Sequence, residues 1–255
     1  MKKPYCLFIF SMLISTVYFS SCEKEIDTDA VQRAKDNLEK SYQYYPIAIG
    51  KSWTYQIDSI YYSDNLGNIE IDTIRGLYRE TIVDTFKNSS DNVIYRVLKE
   101  KQENNIWFVT RVYSLMPTTN QLIRTEDNTQ LIDLIFPLKI NSTWNPTALI
   151  DANSTYLVRG KGIQIFKDWP SAYISDILEE EVFGEVREVL KIQDVKPDDN
   201  IILYQSSTRS YASGVGMISK EQAFFTTQKT ELAEKPWEEK AEIGFKCIQT
   251  LVDYK

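Results

Sequence analysis

The sequence contains no histidine, and this absence removes several classes of enzyme at once. Histidine is the usual proton shuttle near neutral pH, it activates the nucleophile in serine and cysteine hydrolases, and it is a common zinc ligand. Enzymes of those kinds are excluded in their ordinary forms. We therefore predict a protein that is not an enzyme and that uses no metal and no cofactor.

Glycine is also scarce, with nine residues in a chain of 255. None of them belongs to a phosphate-cradling loop or to a dinucleotide-binding fingerprint. The formal net charge of −7 argues against a nucleic-acid partner and against a basic membrane-binding patch. Asp198, Asp199 and Asn200 carry oxygen atoms that calcium accepts, but they lack the spacing of a calcium loop, so a polar turn is the better interpretation.

The chain has only three cysteines, of which the first lies in an N-terminal export signal and the second follows that signal directly. A basic start at Lys2 and Lys3 is followed by an apolar stretch over residues 7–19, which is too short to span a membrane. Two serines then lead directly into Cys22, a pattern that resembles the lipobox of bacterial lipoproteins. We predict cleavage before Cys22 and lipidation of its sulfur, with a plain cleaved signal peptide as the alternative.

These positions leave a single cysteine for the folded domain. Cys6 is removed with the signal and Cys22 carries lipid, so Cys247 has no partner for an internal disulfide. Its strand-like surroundings indicate an inert core thiol. The acyl chains on Cys22 would hold the protein at a membrane, because each buried methylene contributes roughly 0.8 kcal/mol.

The charged residues after Cys22 are relevant to where in the cell envelope the protein lies. Residues 23–29 read either as a solvated tether or as an acidic signal, similar to the one that sends Bacteroidetes lipoproteins to the cell surface. We predict an outer-membrane, lipid-anchored protein that faces either the periplasm or the cell exterior.

A nine-residue phrase occurs twice, at residues 45–53 and again at 136–144. Each copy begins with an aromatic residue and proline, has a glycine or asparagine at its sixth position, and ends with tryptophan. Proline suits the start of a strand because it cannot donate to a ladder, and glycine or asparagine allows a tight bend. We predict a repeated strand–bend–strand corner that places an indole in the core; ligand binding by the tryptophans is the alternative. The residues that define the two corners are Pro46, Trp53, Pro137 and Trp144.

After one short helix, predicted from Thr28 to Ser41, the residue pattern alternates in the manner of strands. Residues 168–180 are the least regular part and are predicted to hold a helical turn, whereas Gly214 and Gly216 are predicted to form a sharp reversal. Nearly every connection is short and rich in turn residues, which favours an antiparallel meander. The prediction is a mainly β fold, a curved sheet, open half-barrel or sandwich built from two related halves.

The predicted organisation follows from these segments. Residues 1–21 form the signal peptide, and residues 22–43 form the acidic tether with the short helix. Residues 44–255 form a single β-rich domain, because no recognisable linker divides it. Its two related halves are residues 44–134 and 135–255.

Five phrases stand along the chain in a fixed order: residues 45–57, Arg124-Thr125-Glu126-Asp127-Asn128, the copy ending at Trp144, Tyr211 to Ile218 with Lys220-Glu221, and Leu251 to Lys255. Together they resemble a family of uncharacterised Bacteroidetes lipoproteins, over nearly the whole mature chain. The resemblance implies an envelope location and a β-rich fold. It transfers no activity and no functional residue.

Two functions from different classes remain. The first is a non-enzymatic binding module, or an accessory subunit of an outer-membrane assembly, whose partners are the membrane through its lipid, other outer-membrane proteins or a glycan. The second is a carboxylate-dependent hydrolase acting on a polysaccharide, since such an enzyme needs only two suitably spaced acids. A structure with two facing carboxylates in a cleft would favour the hydrolase, and an aromatic-lined cavity without them would favour binding.

Aromatic residues are plentiful, with 16 tyrosines, 11 phenylalanines and 5 tryptophans. Most should pack as cross-strand pairs, but Trp107, Trp169 and Trp237 are candidates for a sugar- or lipid-binding surface. Ser59 and Thr73 each follow aspartate and precede isoleucine, which resembles the O-glycosylation signal of Bacteroidetes envelope proteins. Ordinary strand positions are the alternative for both residues.

Overall fold

The computed structural model describes residues 28–255, apart from the side chains of Asp198 and Asp199. The predicted signal peptide, the lipidation site Cys22 and the start of the acidic tether lie outside the described residues. The helices within this range are α1 (Thr28–Tyr42), a single 3₁₀ turn (Thr230–Leu232) and α2 (Trp237–Lys240). In this part of the chain, no helix combines the length and the apolar character needed to cross a bilayer.

Strands make up most of the remaining structure. Their bounds are β1 (Ser52–Asn65), β2 (Asn68–Lys87), β3 (Val93–Glu103), β4 (Ile106–Pro117), β5 (Gln121–Glu126), β6 (Thr129–Ile135), β7 (Thr143–Trp144), β8 (Tyr156–Val158), β9 (Lys161–Ile163), β10 (Ala172–Val182), β11 (Glu185–Asp199), β12 (Leu203–Ala212), β13 (Gly216–Thr226) and β14 (Ile243–Tyr254).

Twelve of these strands form one antiparallel sheet in the order β6-β5-β4-β3-β2-β1-β14-β13-β12-β11-β10-β7, and β8 pairs with β9 separately. The two ends of the large sheet approach each other, because Ile132 N–H donates to the Pro146 carbonyl at 2.9 Å. The sheet is therefore strongly curved and nearly closed. The predicted mainly β, antiparallel meander is confirmed.

Alternation along the strands decides which side chains face the inside of this curve. In β1, Trp53, Tyr55, Ile57 and Ser59 are buried while the residues between them are less so. This pattern is the period of two expected when one face of a strand packs inward. The same alternation places charged side chains of other strands inside the curved sheet.

The two copies of the repeated phrase fold into closely similar backbone corners. Gly50 and Asn141, at the sixth position of each copy, both have positive φ (89° and 65°). Gly50 N–H donates to the carbonyl of Ile82, and Asn141 N–H donates to that of Ile174, at 2.8 and 2.9 Å. In each copy the next residue accepts a hydrogen bond in return from the same isoleucine. The bend position thus needs a residue that tolerates the left-handed region, which glycine and asparagine do.

The tryptophans that end the two phrases both lie in the main hydrophobic core. The Trp53 indole donates to the carbonyl of Val215 at 2.6 Å, and the Trp144 indole donates to that of Ile132 at 2.9 Å. Each indole therefore reaches into the other half of the chain. The Trp144 bond also helps to join the two ends of the sheet.

The prediction of irregular structure at residues 168–180 is wrong for most of that range, because β10 begins at Ala172. A register shift near Ser175 interrupts the alternation, and this hides the strand from a period-two reading. The acidic run at the end of β10 is partly neutralised across the ladder, where Glu180 pairs with Lys191 at 2.7 Å.

The apolar core has separate parts along the inside of the sheet. The main cluster packs Trp53 and Trp144 with aliphatic residues of both halves, and a smaller cluster joins Ile163 to Phe224 and Phe245. The β8–β9 hairpin carries Ile163 and so covers the inner face at β13 and β14. A cavity borders residues of both clusters.

Candidate functional site

The interior of the curved sheet contains a cavity of about 570 Å³. This volume lies in the usual range of small-molecule sites, about 300–1,000 Å³. Tyrosines supply much of the aromatic lining, and the charged lining comes from strands of both halves. The charged lining residues are Glu80, Lys99, Arg111, Arg124, Glu126, Asp127, Asp133, Arg209 and Lys220.

Arg209, on β12, is the most completely bonded charge in the cavity wall. Its guanidinium binds both carboxylate oxygens of Asp194, at 2.8 and 2.7 Å, and donates to the Tyr211 hydroxyl at 2.9 Å. It also donates to the backbone carbonyl of Asp133 at 3.0 Å and to the carboxylate of that residue at 3.4 Å. Arg209 is only 7% exposed. All of its N–H groups are therefore engaged inside the protein.

Asp194 continues the inward alternation of β11 and lies at an irregularity of that strand. The register shifts between Gln193 and Val195, which pair with Thr208 and Ser207 on β12, so Asp194 is an extra residue in the ladder. A bulge of this kind re-aims a side chain and locally increases the twist. The Asp194 carboxylate also accepts a hydrogen bond from the Ser207 hydroxyl at 3.2 Å.

A second charged group lies on strands β2 to β5. Glu80 is 3% exposed and accepts a hydrogen bond from the Tyr113 hydroxyl at 2.9 Å. Lys99 lies 3.6 Å from the same carboxylate. The Arg124 guanidinium lies 3.8 Å from the centre of the Tyr113 ring and donates to Glu126 at 2.7 Å. These contacts combine ion pairing with a cation–π interaction.

Glu126 titrates in an unusual range because of these neighbours. Burial of its carboxyl group favours the neutral form, but the charges of Arg124, Lys99 and Arg111 outweigh it and lower the pKa of Glu126 to about 2. The carboxylate is therefore ionised at neutral pH. Glu126 is the opposite of a general acid, which needs a raised pKa.

This pKa gives a pH-dependent stability that can be measured. A carboxyl group whose pKa falls from roughly 4.3 in the unfolded chain to about 2 in the folded protein adds stability above that range, and the contribution is lost as the pH falls towards 2. Glu126→Gln is expected to lower the free energy of unfolding by about 1–3 kcal/mol at pH 7 and by progressively less below pH 4.5. Urea unfolding between pH 3 and 7 measures the difference.

The matched control for this prediction is Glu103→Gln, which removes an exposed partner of Lys101. A difference from the wild type that stays constant from pH 7 to pH 3 in Glu126→Gln would contradict the lowered pKa.

Three tyrosines at or beside the cavity, Tyr45, Tyr55 and Tyr113, stay neutral. Burial raises the pKa of Tyr45, Tyr55 and Tyr113 well above the usual value, and nearby carboxylates add to the effect. Tyr45 is the first residue of the repeated phrase and packs against Trp53 and Tyr211. Within the described part of the chain, its hydroxyl makes no hydrogen bond.

Lys220 differs from every other cation of the wall. It is partly buried on β13, lines the cavity, and has neither a hydrogen bond nor an ion pair within residues 28–255. Its register partners are Arg209 on one side and Gln249 on the other. Burial, followed by the charges of Arg209 and Arg124, lowers the pKa of Lys220. Gln249 is 7% exposed, and its Nε2 also has no hydrogen-bond partner.

The three tryptophans proposed as ligand aromatics lie in different surroundings. Trp107 is covered by the Arg79 guanidinium at 4.4 Å, and Trp237 is buried against Phe225. Trp169 contacts Phe166 and borders a smaller cavity of about 70 Å³, where its indole nitrogen has no partner. None of the three lines the larger cavity.

The two candidate glycosylation sites lie on opposite faces. Ser59 is 3% exposed and lines the cavity, so a sugar on this residue would occupy the interior. Thr73 is exposed on β2, where the glycosylation hypothesis stays a prediction. Gly214 and Gly216 adopt positive φ where β12 turns into β13, at the predicted reversal.

The sequence interpretation missed the charged interior. Arg124, Glu126, Tyr211 and Lys220 all lie in the phrases that carry the family resemblance, yet nothing in those phrases shows that the side chains converge. The signal that could have found them is a charge at an inward position of an otherwise buried strand, as at Arg209. No cluster of three or more acidic, cysteine or histidine residues within residues 28–255 could hold a metal ion.

Comparison with known proteins adds little to this geometry. No family model matches the chain. No curated protein matches it either. Among solved structures, the chain is similar to a presumed lipoprotein from Parabacteroides distasonis, with 10% sequence identity, a TM-score of 0.30, and coverage of 83% of this chain and 98% of that chain. At these values, we base no inference about fold or function on the likeness.

Proposed function

We propose that this protein is a lipid-anchored binding protein of the cell envelope and that its interior cavity takes a small polar ligand. The observation that carries the proposal is the cavity itself. A sheet closed around an ordinary core would fill this space with apolar side chains, because protein interiors are close-packed. Here the space is left open, and tyrosines and charged residues such as Glu80 and Arg209 border it beside apolar side chains.

The charged residues of the cavity wall support a binding role, because burying them costs free energy that apolar residues would not cost. Burying a charge requires compensating partners, and a buried ion pair often contributes less to stability than apolar residues of the same volume. Polar groups that converge on a concave space are typical of ligand sites. The predicted lipidation signal at Cys22 supports the second part of the proposal, an outer-membrane location facing the periplasm or the cell exterior.

The alternative of a polysaccharide hydrolase has less support. The cavity does contain carboxylates, but Glu80, Glu126 and Asp133 each contact a cation of the wall. The lowered pKa of Glu126 makes it a poor proton donor. A glycosidase needs one carboxyl group that stays protonated until it donates its proton to the leaving group.

Native mass spectrometry of the full chain, purified from membranes in mild detergent, tests the proposal. We expect the wild-type protein to carry a co-purifying small molecule and the cavity-filling variant Ser59→Phe to lose it. Thr73→Phe on the exposed face of the neighbouring strand is the control and should keep the bound mass. Identical spectra for the wild type and Ser59→Phe, with no bound molecule in either, would contradict a ligand-binding cavity.

A further inference from the structure

We infer that the ligand of this cavity is a small organic monoanion, and that its carboxylate binds beside Lys220, opposite Arg209 and Gln249. The inference rests on the proposed binding function and names its ligand class. It follows from an arrangement that a purely structural interior would avoid.

Two cations face each other directly across β12 and β13. Arg209 and Lys220 are register partners, and both line the cavity. Directly opposed residues on one face of an antiparallel pair have Cβ atoms about 4.5–5.5 Å apart, and like charges at this distance are destabilising. Violations of such local rules concentrate at functional sites.

The carboxylates near this pair contact Arg209 and not Lys220. Asp194 and Asp133 contact Arg209, and the N–H groups of Arg209 are all engaged by these two residues and Tyr211. Among the described residues, Lys220 has no carboxylate within ion-pair distance. One positive charge therefore remains without a partner in a shielded position, and a bound monoanion would supply that partner.

Other donors border the same space and lack acceptors. Arg124 donates a hydrogen bond only through Nη2 within the described part of the chain, so its Nε–H and Nη1–H groups remain available. The Tyr45 hydroxyl has no hydrogen bond, and the Gln249 amide nitrogen is buried without a partner. All three residues line the cavity. Such a donor set fits carboxylate oxygens, which only accept hydrogen bonds.

The number of cations without a contacting acid favours a monoanion over a phosphate dianion. Lys220 is the one cation of the described wall with no acidic partner, because Lys99, Arg111, Arg124 and Arg209 each contact an acid. A dianion would bring a second negative charge near Asp194 and Glu80, with no second unpaired cation to contact it. Tyr45 and Tyr55 offer aromatic surface for the neutral part of the ligand.

The prediction that Cys247 is an inert core thiol is wrong, because the residue is only partly buried and lines the cavity wall on β14, two residues from Gln249. It therefore provides a probe inside the same cavity. Methanethiosulfonate reagents modify a thiolate by forming a disulfide with it and releasing methanesulfinate. The full-length protein in detergent is treated with the anionic 2-sulfonatoethyl reagent or the cationic 2-(trimethylammonium)ethyl reagent. Each rate, measured by mass spectrometry, is divided by the rate of the same reagent with 2-mercaptoethanol.

We expect the normalised rate at Cys247 to favour the anionic reagent by about tenfold or more in the wild type. Lys220→Met should remove most of that preference, whereas Lys220→Arg should retain it. Lys246→Met is the matched control, because Lys246 pairs with Glu221 outside the cavity and should not affect the ratio. Cys247→Ser should abolish the modification and so confirm the labelled thiol.

The outcomes separate the two levels of the proposal. If neither reagent modifies Cys247 in the folded protein while both do so in urea, the cavity is closed, and both the binding function and the anion site are wrong. If both reagents react without a preference for the anionic one, or if Lys220→Met keeps the preference, the anion site is wrong and the cavity stands. Since the wild-type ratio is decisive alone, a variant that fails to fold does not prevent the test.

Discussion

Replacing Arg209 by methionine is expected to lower the free energy of unfolding by about 3–5 kcal/mol, because it leaves Asp194 buried without its partner. Asp194 is buried, and its two oxygens accept hydrogen bonds from Arg209 at 2.8 and 2.7 Å. The substitution also takes a donor away from Tyr211 and from the backbone carbonyl of Asp133. Denaturant unfolding at pH 7, monitored by tryptophan fluorescence, measures the effect.

Arg96→Met is the matched control for Arg209→Met. Arg96 pairs with Asp84 on the outside of the sheet at 3.0 Å, with both side chains about half exposed, so its loss should cost less than about 1 kcal/mol. Adding Asp194→Asn to Arg209→Met should recover part of the stability by removing the uncompensated charge. Equal losses in Arg209→Met and Arg96→Met would contradict the buried network.

Replacing Gly244 by alanine is expected to destabilise the protein by about 4 kcal/mol or more, or to prevent folding. Gly244 has a φ of 146°, and a Cβ at this position would lie 2.0 Å from the backbone carbonyl oxygen of Phe224. The obstacle is backbone rather than a flexible side chain, so β13 and β14 would have to separate. These strands carry Lys220 and Gln249, and their separation would also distort the cavity wall.

Gly76→Ala is the control for Gly244→Ala, because it makes the same substitution within a strand. A Cβ on Gly76 would meet only the ends of Tyr78 and Lys101, at 3.6 and 3.8 Å, which are ordinary contacts. The stability of this variant should stay within about 1 kcal/mol of the wild type, since alanine also restricts the unfolded chain. Thermal unfolding of both variants measures the contrast, and a comparable loss in both would contradict the close approach of the strands.

The fold follows from local signals that one sequence contains. Strands of alternating residues and short polar turns predict an antiparallel meander, and the Leu66–Gly67 turn, with positive φ at both residues, closes the first hairpin. The repeated phrase predicts a bend at Gly50 and Asn141, and both positions have the backbone conformation that this requires. Each of these features depends on a few neighbouring residues.

The candidate site could not be predicted in the same way, because it depends on contacts between distant residues. Arg209 contacts Asp133, which is 76 positions away in the sequence. Asp133 lies on β6, a strand that the sequence pattern does not predict, and the register shift beside Asp194 is not visible in the sequence. Alternation predicts that a residue faces inward, but it does not identify the residue opposite. For this reason the sequence alone does not distinguish Lys220 from an ordinary surface lysine.

The most direct test of an anion-accepting cavity is anomalous diffraction from crystals of the full chain soaked briefly in sodium bromide. Bromide is a monoanion small enough to enter the space, and its position is independent of any assumption about the natural ligand. We expect a bromide peak inside the sheet next to Lys220 Nζ in the wild type and no peak there in Lys220→Met. A wild-type interior that contains no bromide, with Lys220 paired to a carboxylate or packed against apolar side chains, would contradict the proposal.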